Sequence, residues 1–180
     1  MRTFIAIPLP QDIKNYLNSI QAQLKECDVY AKWVNIHNVH MTLKFLGETE
    51  EDKIPSIENT INKSTAGLHL LKVNLINFGF FPNERNPRVF FISTDEERTL
   101  QKIAYKLEKN LEPLGFNPEY RFRSHITLAR LKGKRNIACL AAKSKEIRLD
   151  KPFHIKSIIL YKSTLTPKGP IYEEIFKAKL

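Results

Sequence analysis

Val39-His40-Met41-Thr42-Leu43-Lys44-Phe45-Leu46-Gly47 places a histidine and a threonine two residues apart inside an apolar run. Ser124-His125-Ile126-Thr127-Leu128-Ala129-Arg130-Leu131 repeats it 85 residues later, and both stretches read His-x-Thr-Leu-x-x-Leu. With ten Thr and twenty Leu in 180 residues, Thr-Leu at those offsets follows roughly one histidine in 160 by chance. Here it follows two of five, and an internal duplication accounts for that better than coincidence.

Side chains of a strand alternate between two faces. His40, Thr42 and Lys44 then share one face, and Met41, Leu43 and Phe45 the other; His125 and Thr127 stand opposite Ile126 and Leu128. Each strand is expected to pack its apolar face into a lobe and present His and Thr outward. Two such lobes meeting about a pseudo-two-fold axis bring two imidazoles and two hydroxyls to one cleft. The competing reading is a pair of ordinary half-buried strands with polar outer faces. It holds its own for either motif alone and loses ground for the matched pair.

Outward from the motifs, Arg2–Leu9 reads as a strand, and Ile13, Tyr16, Leu17, Ile20 and Leu24 recur at helical spacing across residues 11–26. A strand is expected over Val39–Leu46, stopped by Gly47, and a helix over the Ile54, Ile57, Ile61 series. Leu68–Phe80 and Arg88–Ser93 read as strands joined by a Pro/Asn-rich turn. A helix over 96–114 carries Leu100, Ile103, Leu107 and Leu111 and ends at Gly115. Strands at 121–131, 153–162 and 171–177 and a weaker helix near 136–145 complete the chain. The irregular interleaving, with no Gly-rich phosphate loop, predicts an α+β fold of antiparallel sheets. It reads as one bilobal domain over residues 1–180, with one motif per lobe.

A hydrophobic fraction of 42% with 27% charged residues is that of a soluble globular protein. No 18-residue apolar run is available to span a membrane, and the first residues do not read as a secretory signal. Cys27 and Cys139 lack metal-ligand spacing. They read as spare buried thiols in a reducing compartment, which points to the cytoplasm. The net charge of +10 is lopsided: residues 1–90 contribute +1 and residues 91–180 contribute +9. Between Arg121 and Lys156, 11 basic residues face only Glu146 and Asp150. Such a field favours a polyanion such as nucleic acid without implying sequence preference.

Two histidines across a small anion can serve as general acid and general base, and two threonine hydroxyls can donate to phosphoryl oxygens. Neither motif contains a carboxylate to hold a metal, and there is no Walker loop, His-Glu-x-x-His or Cys-x-x-Cys. The set suits hydrolysis of a phosphodiester with no metal or other cofactor, the basic half holding the nucleic acid that carries it.

With those residues in view, the chain resembles the two-histidine phosphoesterase superfamily. Within it, the chain is similar to the bacterial and archaeal RNA 2′,3′-cyclic phosphodiesterases, also called the 2′-5′ RNA ligase family. Arg2-Thr3-Phe4-Ile5-Ala6-Ile7-Pro8, His40–Gly47 and His125–Arg130 carry the resemblance, which covers nearly the whole chain. It implies two pseudo-symmetric antiparallel sheets flanked by helices around a central cleft. It also implies hydrolysis of RNA 2′,3′-cyclic phosphate ends to 2′-phosphomonoesters without a metal. The expected partners are RNA ends, such as those of tRNA fragments, and the expected state is a monomer. His40 would be the proton donor and His125 the proton acceptor, with Thr42 and Thr127 on the non-bridging oxygens. The near-symmetry of the motifs does not itself say which histidine is which.

Arg130 is a further candidate for the phosphate, although alternation puts it with Ile126 and Leu128 unless the strand bulges. Arg2, Phe4 and Lys44 are candidates to line the cleft. His37 lacks the partners of a zinc site, and His69 and His154 read as structural. Trp33 reads as core or lobe edge. Of Phe80 and Phe81, at least one should be core, while a base could stack on the other. The alternatives to hydrolysis are reversible 2′-5′ joining, cleavage of a small cyclic nucleotide, or a non-catalytic RNA-end-binding module.

Overall fold

The computed structural model of the chain describes residues 1–180. Strand β1 (Arg2–Pro8) is apolar and almost wholly buried. Helix α1 (Gln11–Lys25) follows and buries the stripe Ile13, Leu17, Ile20 and Leu24, the one-face spacing of an amphipathic helix. A three-residue strand β2 (Ala31–Trp33) precedes the first motif strand, β3 (His40–Glu48). Helix α2 (Ile54–Thr65) and the hairpin β4 (Leu71–Phe81) and β5 (Val89–Thr94) come next. Helix α3 (Glu97–Leu111) leads through a loop to the second motif strand, β6 (Ile126–Leu131). Helix α4 (Ile137–Glu146) and strands β7 (Pro152–Ile155), β8 (Ser157–Thr166) and β9 (Gly169–Lys179) finish the chain.

The strands form two antiparallel sheets, ordered β3-β1-β8-β9 and β2-β6-β5-β4-β7. The architecture is therefore the bilobal α+β arrangement expected. In each sheet the motif strand lies beside an antiparallel neighbour reached through a helix: β1-α1-β3 in one, β5-α3-β6 in the other. The first sheet draws on both ends of the chain and the second on its middle, so the lobes are not the two halves of the sequence. Cα atoms of β3 and β6 come within 8 Å of one another, and the two motifs meet at the seam between the sheets.

Two elements depart from the sequence reading. Residues 153–162 are not one strand: the chain leaves the second sheet at Ile155, paired with Leu71, and enters the first at Ser157, paired with Lys179. The apolar run continues across this crossing because both strands are core strands, so hydropathy carries no sign of it. The expected strand from Arg121 begins only at Ile126, and residues 121–125 lead into it without regular secondary structure.

The two cysteines are not free thiols. Cys27, just beyond α1, is disulfide-bonded to Cys139 on α4, and Cys139 is exposed rather than buried. Arg135 and Lys143 flank this junction with ion pairs to Asp28 and Glu26. A bond closing 112 residues of sequence restricts the unfolded chain, and its removal is expected to cost about 2–4 kcal/mol. Urea unfolding of the Cys27→Ser, Cys139→Ser double variant should show that loss. Coincident midpoints for variant and parent would mean that the bond carries no stability.

Candidate active site

Both motif strands bulge at the same place. In β3, Ile5 pairs with Lys44 and the next residue, Ala6, with Thr42, which leaves Leu43 as the extra residue. In β6, Phe90 pairs with Ala129 and Phe91 with Thr127, which leaves Leu128 as the extra residue. A bulge of one residue reverses the alternation beyond it. Leu43 and Lys44 are consequently both buried, as are Leu128 and Ala129. Phe45 and Arg130 turn to the face of His40–Thr42 and His125–Thr127. The Leu128 carbonyl left by the bulge accepts hydrogen bonds from the Val34 amide and from the buried Gln21 side chain.

Those bulges decide two candidates in opposite ways. Lys44 does not line the cleft: its ammonium is buried, 2.7 Å from Glu108 of α3, and donates to the Asn117 carbonyl. Arg130, which simple alternation would have placed in the core, is exposed, and its charge is felt at His40, His125 and Tyr172. Phe45, expected in the core, is 61% exposed, its ring centroid 6.1 Å from that of Phe4.

The two imidazoles are held alike. His40 Nδ1 donates to the Asn38 carbonyl and His125 Nδ1 to the Arg123 carbonyl, each at 2.7 Å and each two residues back. A carbonyl can only accept, so each bond places a proton on Nδ1 and leaves Nε2 as the nitrogen that gains or loses one. His40 Nε2 meets the Thr42 hydroxyl at 2.9 Å. Thr127 is partly buried beside His125 on the β6 face.

Aromatic walls surround both rings. Phe4 lies 4.9 Å and Tyr172 5.4 Å from His40, the latter edge-on, and Tyr161 stacks on Phe4 with its own ring 6.4 Å from His40. His125 stands edge-on to Phe81 at 5.1 Å, and Phe81 stacks on Phe91 at 4.1 Å. Gly79 pairs across the hairpin with Phe91, and a Cβ there would fall 2.4 Å from the Phe91 ring. Only glycine leaves that ring its place. Phe80 instead packs on Phe90 in the core, and Trp33 meets the same Phe90 edge-on.

Burial in these walls lowers the His40 pKa to about 4; the bond to Asn38 opposes this, and the positive charges of His125, Lys14 and Arg130 reinforce it. Burial also lowers the His125 pKa, against the bond to Arg123 and the carboxylate of Glu97, with Arg130 adding to the depression. Burial pushes the Tyr161 hydroxyl up to about 12, helped by Glu174. Both histidines feel Arg130, and His40 feels His125. They belong to one electrostatic site.

Arg2 and Phe4 sit on β1 beside β3; Arg2 is exposed and acts on Tyr172, while Phe4 is buried against His40. The sequence reading missed Tyr161 and Tyr172, which arrive from β8 and β9, and Glu97, whose carboxylate accepts from the Ser124 amide and hydroxyl. Nothing local marks them, since they reach the cleft through pairings between distant segments. No group of three or more His, Cys, Asp or Glu side chains is placed so that it could hold a metal ion.

The family model for LigT-like phosphoesterases matches residues 7–91 and again residues 92–172. Proteins named RNA 2′,3′-cyclic phosphodiesterase are similar along almost their full lengths. That of Methanocaldococcus jannaschii is 36% identical over 97% of this chain and 98% of its own. That of Methanothermobacter thermautotrophicus is 31% identical over 97% and 96%. The crystal structure of TT0787 from Thermus thermophilus superposes with a TM-score of 0.82 at 29% identity, covering 100% of this chain and 98% of that one.

Proposed function

This chain belongs to the LigT-like phosphoesterases, and from that premise we propose that it hydrolyses RNA 2′,3′-cyclic phosphate ends to 2′-phosphomonoesters through a two-histidine acid–base mechanism. One observation carries the reading: two imidazoles, each fixed by the same Nδ1–carbonyl bond two residues back, within one electrostatic site. The twofold family match supports the internal duplication that would produce such a pair.

In this mechanism His125 Nε2 takes a proton from water as its oxygen bonds to phosphorus. The bond from phosphorus to the 3′ oxygen breaks, and His40 Nε2 delivers a proton to that oxygen. Thr42, Thr127 and Arg130 bind the non-bridging oxygens, whose charge grows in the transition state. The roles of donor and acceptor follow the family resemblance. At the cleft the donor set is two imidazoles, two hydroxyls and a guanidinium, a set for holding an anion directly. One chain supplies every group, so the reading requires a monomer only. It places the protein in the cytoplasm on its substrate alone, because the Cys27–Cys139 bond removes free thiols as a reason.

The reaction needs one ring protonated and the other neutral. In the free enzyme burial favours the neutral form of both, so the singly protonated enzyme becomes scarce as pH rises above 6.5. It gives way to the doubly protonated form as pH falls toward 4. The profile of kcat/KM, which reports the free enzyme, is therefore expected to peak between those values, with the two flanks belonging to the pair rather than to either residue. A maximum at pH 8 or above would count against the pair.

The direct test incubates a short RNA ending in a 2′,3′-cyclic phosphate with the protein in excess chelator. Rapid formation of the 2′-monoester is expected. A 3′-monoester would overturn the leaving-group assignment, and an inert end would remove the reading.

A further inference from the structure

A groove of about 910 Å³ lies apart from the histidine cleft. It runs along the outer face of α3, between that helix and the returning segment 119–122. Arg98, Lys102, Tyr105 and Lys109 follow one another at spacings of four, three and four residues, so they form one line down the helix. Lys106 and Lys63 of α2 add two more cations to the lining. None of the five basic side chains takes part in an ion pair within the protein.

Acidic groups are fewer and mostly engaged. Glu108 is neutralised by Lys44 and receives the Glu119 amide. Glu119 is exposed, and Glu112 sits beside Tyr120. Tyr105 and Tyr120 are each more than half exposed, their ring centroids 5.2 Å apart. Two aromatic faces open to water between unpaired cations are the pattern of a single-stranded nucleic-acid site, where bases stack and phosphates meet charge. From Arg98 to Lys109 the helix rises about 16 Å, the height of roughly five stacked nucleotides.

One end of the groove, at Phe122, is next in sequence to a residue beside the histidine cleft. Its Phe122 end is held by Gln101, which donates to the Phe122 carbonyl. The next residue, Arg123, places its guanidinium 6.0 Å over Phe81, the ring that stands against His125. A strand whose end lies at His125 thus meets Arg123 and then the row on α3.

Resting on the reading of the cleft as a cyclic-phosphate site, we propose that the α3 groove binds the single-stranded body of the RNA that leads to the cyclic end. The phosphates lie on Arg98, Lys102, Lys106 and Lys109, and bases stack on Tyr105 and Tyr120. An acidic peptide fits the charge but has no use for the tyrosine pair.

The test compares a ten-nucleotide RNA ending in a cyclic phosphate with a nucleoside 2′,3′-cyclic monophosphate. The proteins are the parent, Lys102→Gln/Lys106→Gln, and Tyr105→Ala. For the ten-mer, each lysine lost should lower the log–log salt dependence of binding by about 0.7, and Tyr105→Ala should weaken binding at least about fivefold. The monophosphate should be turned over at the parental rate by all three, which also shows that the variants are folded. Equal binding of the ten-mer by parent and variants overturns the proposal, and so does an equal loss on both substrates. Polyglutamate displacing the RNA with Tyr105→Ala without effect would assign the groove to acidic peptides instead. Fluorescence anisotropy of the labelled ten-mer reads the same differences without catalysis. If the parent turns over neither substrate, the hydrolytic reading fails while the groove remains measurable.

Discussion

Replacing His125 by alanine is expected to lower kcat/KM on an RNA cyclic-phosphate end by ~10²–10⁴-fold, and replacing His40 to do the same. In the proposed mechanism each ring is one half of a proton-transfer pair, so the loss from either change should be nearly the whole loss. The double variant should fall little below the single ones, as is usual for groups that act as a unit. On the same proposal the effect should reside in turnover, since Thr42, Thr127 and Arg130 would still hold the phosphate. Single-turnover rates at saturating RNA separate this from weakened binding. Near-parental turnover by either alanine variant would exclude that histidine from the chemistry. A loss confined to KM would leave the cleft a binding site for RNA ends.

Replacing Lys44 by methionine is expected to destabilise the fold by about 3–5 kcal/mol, because it leaves Glu108 buried without a counter-charge. The pair ties β3 to α3, and through the Asn117 carbonyl to the loop that returns to β6. Changing both partners, Lys44→Met with Glu108→Leu, should recover most of the loss, since two apolar side chains of similar volume avoid the uncompensated charge. Denaturant unfolding of the two single variants and the double one gives the coupling directly. Additive losses would mean that the two charges do not depend on each other. Lys44→Met is also expected to leave turnover per folded molecule close to parental, as befits a lysine on the far side of the strand from the histidines.

Lys44 and Arg130 show where strand alternation misplaces a side chain. Alternation is a local rule, and it holds from His40 to Leu43 and from His125 to Leu128. Beyond those points the rule inverts, because a bulge is set by the neighbouring strand: Ala6 must meet Thr42 and Phe91 must meet Thr127. No residue of the motif announces that demand. The same inversion sends Phe45 to the open face, where hydropathy alone would have buried it. Tyr161 and Tyr172 lay out of reach for a related reason, because β8 and β9 join the first sheet only when the C-terminal segment pairs with β1.

Cys27 and Cys139 make the point for covalent structure. A separation of 112 residues gives no spacing to read, and the bond follows from how α1 and α4 are brought together. The crossing at Lys156 is similar, since an unbroken apolar run conceals a change of sheet.

The amino-acid sequence by itself determined the antiparallel α+β character, the two histidine–threonine pairs and the basic second half. Those features are encoded by periodicity, by a repeated pattern and by composition, which need no knowledge of distant partners. Tertiary structure alone decided which side chains share the cleft. The face a residue shows depends on strand register and bulges, and these are settled by hydrogen bonding between segments far apart in the chain.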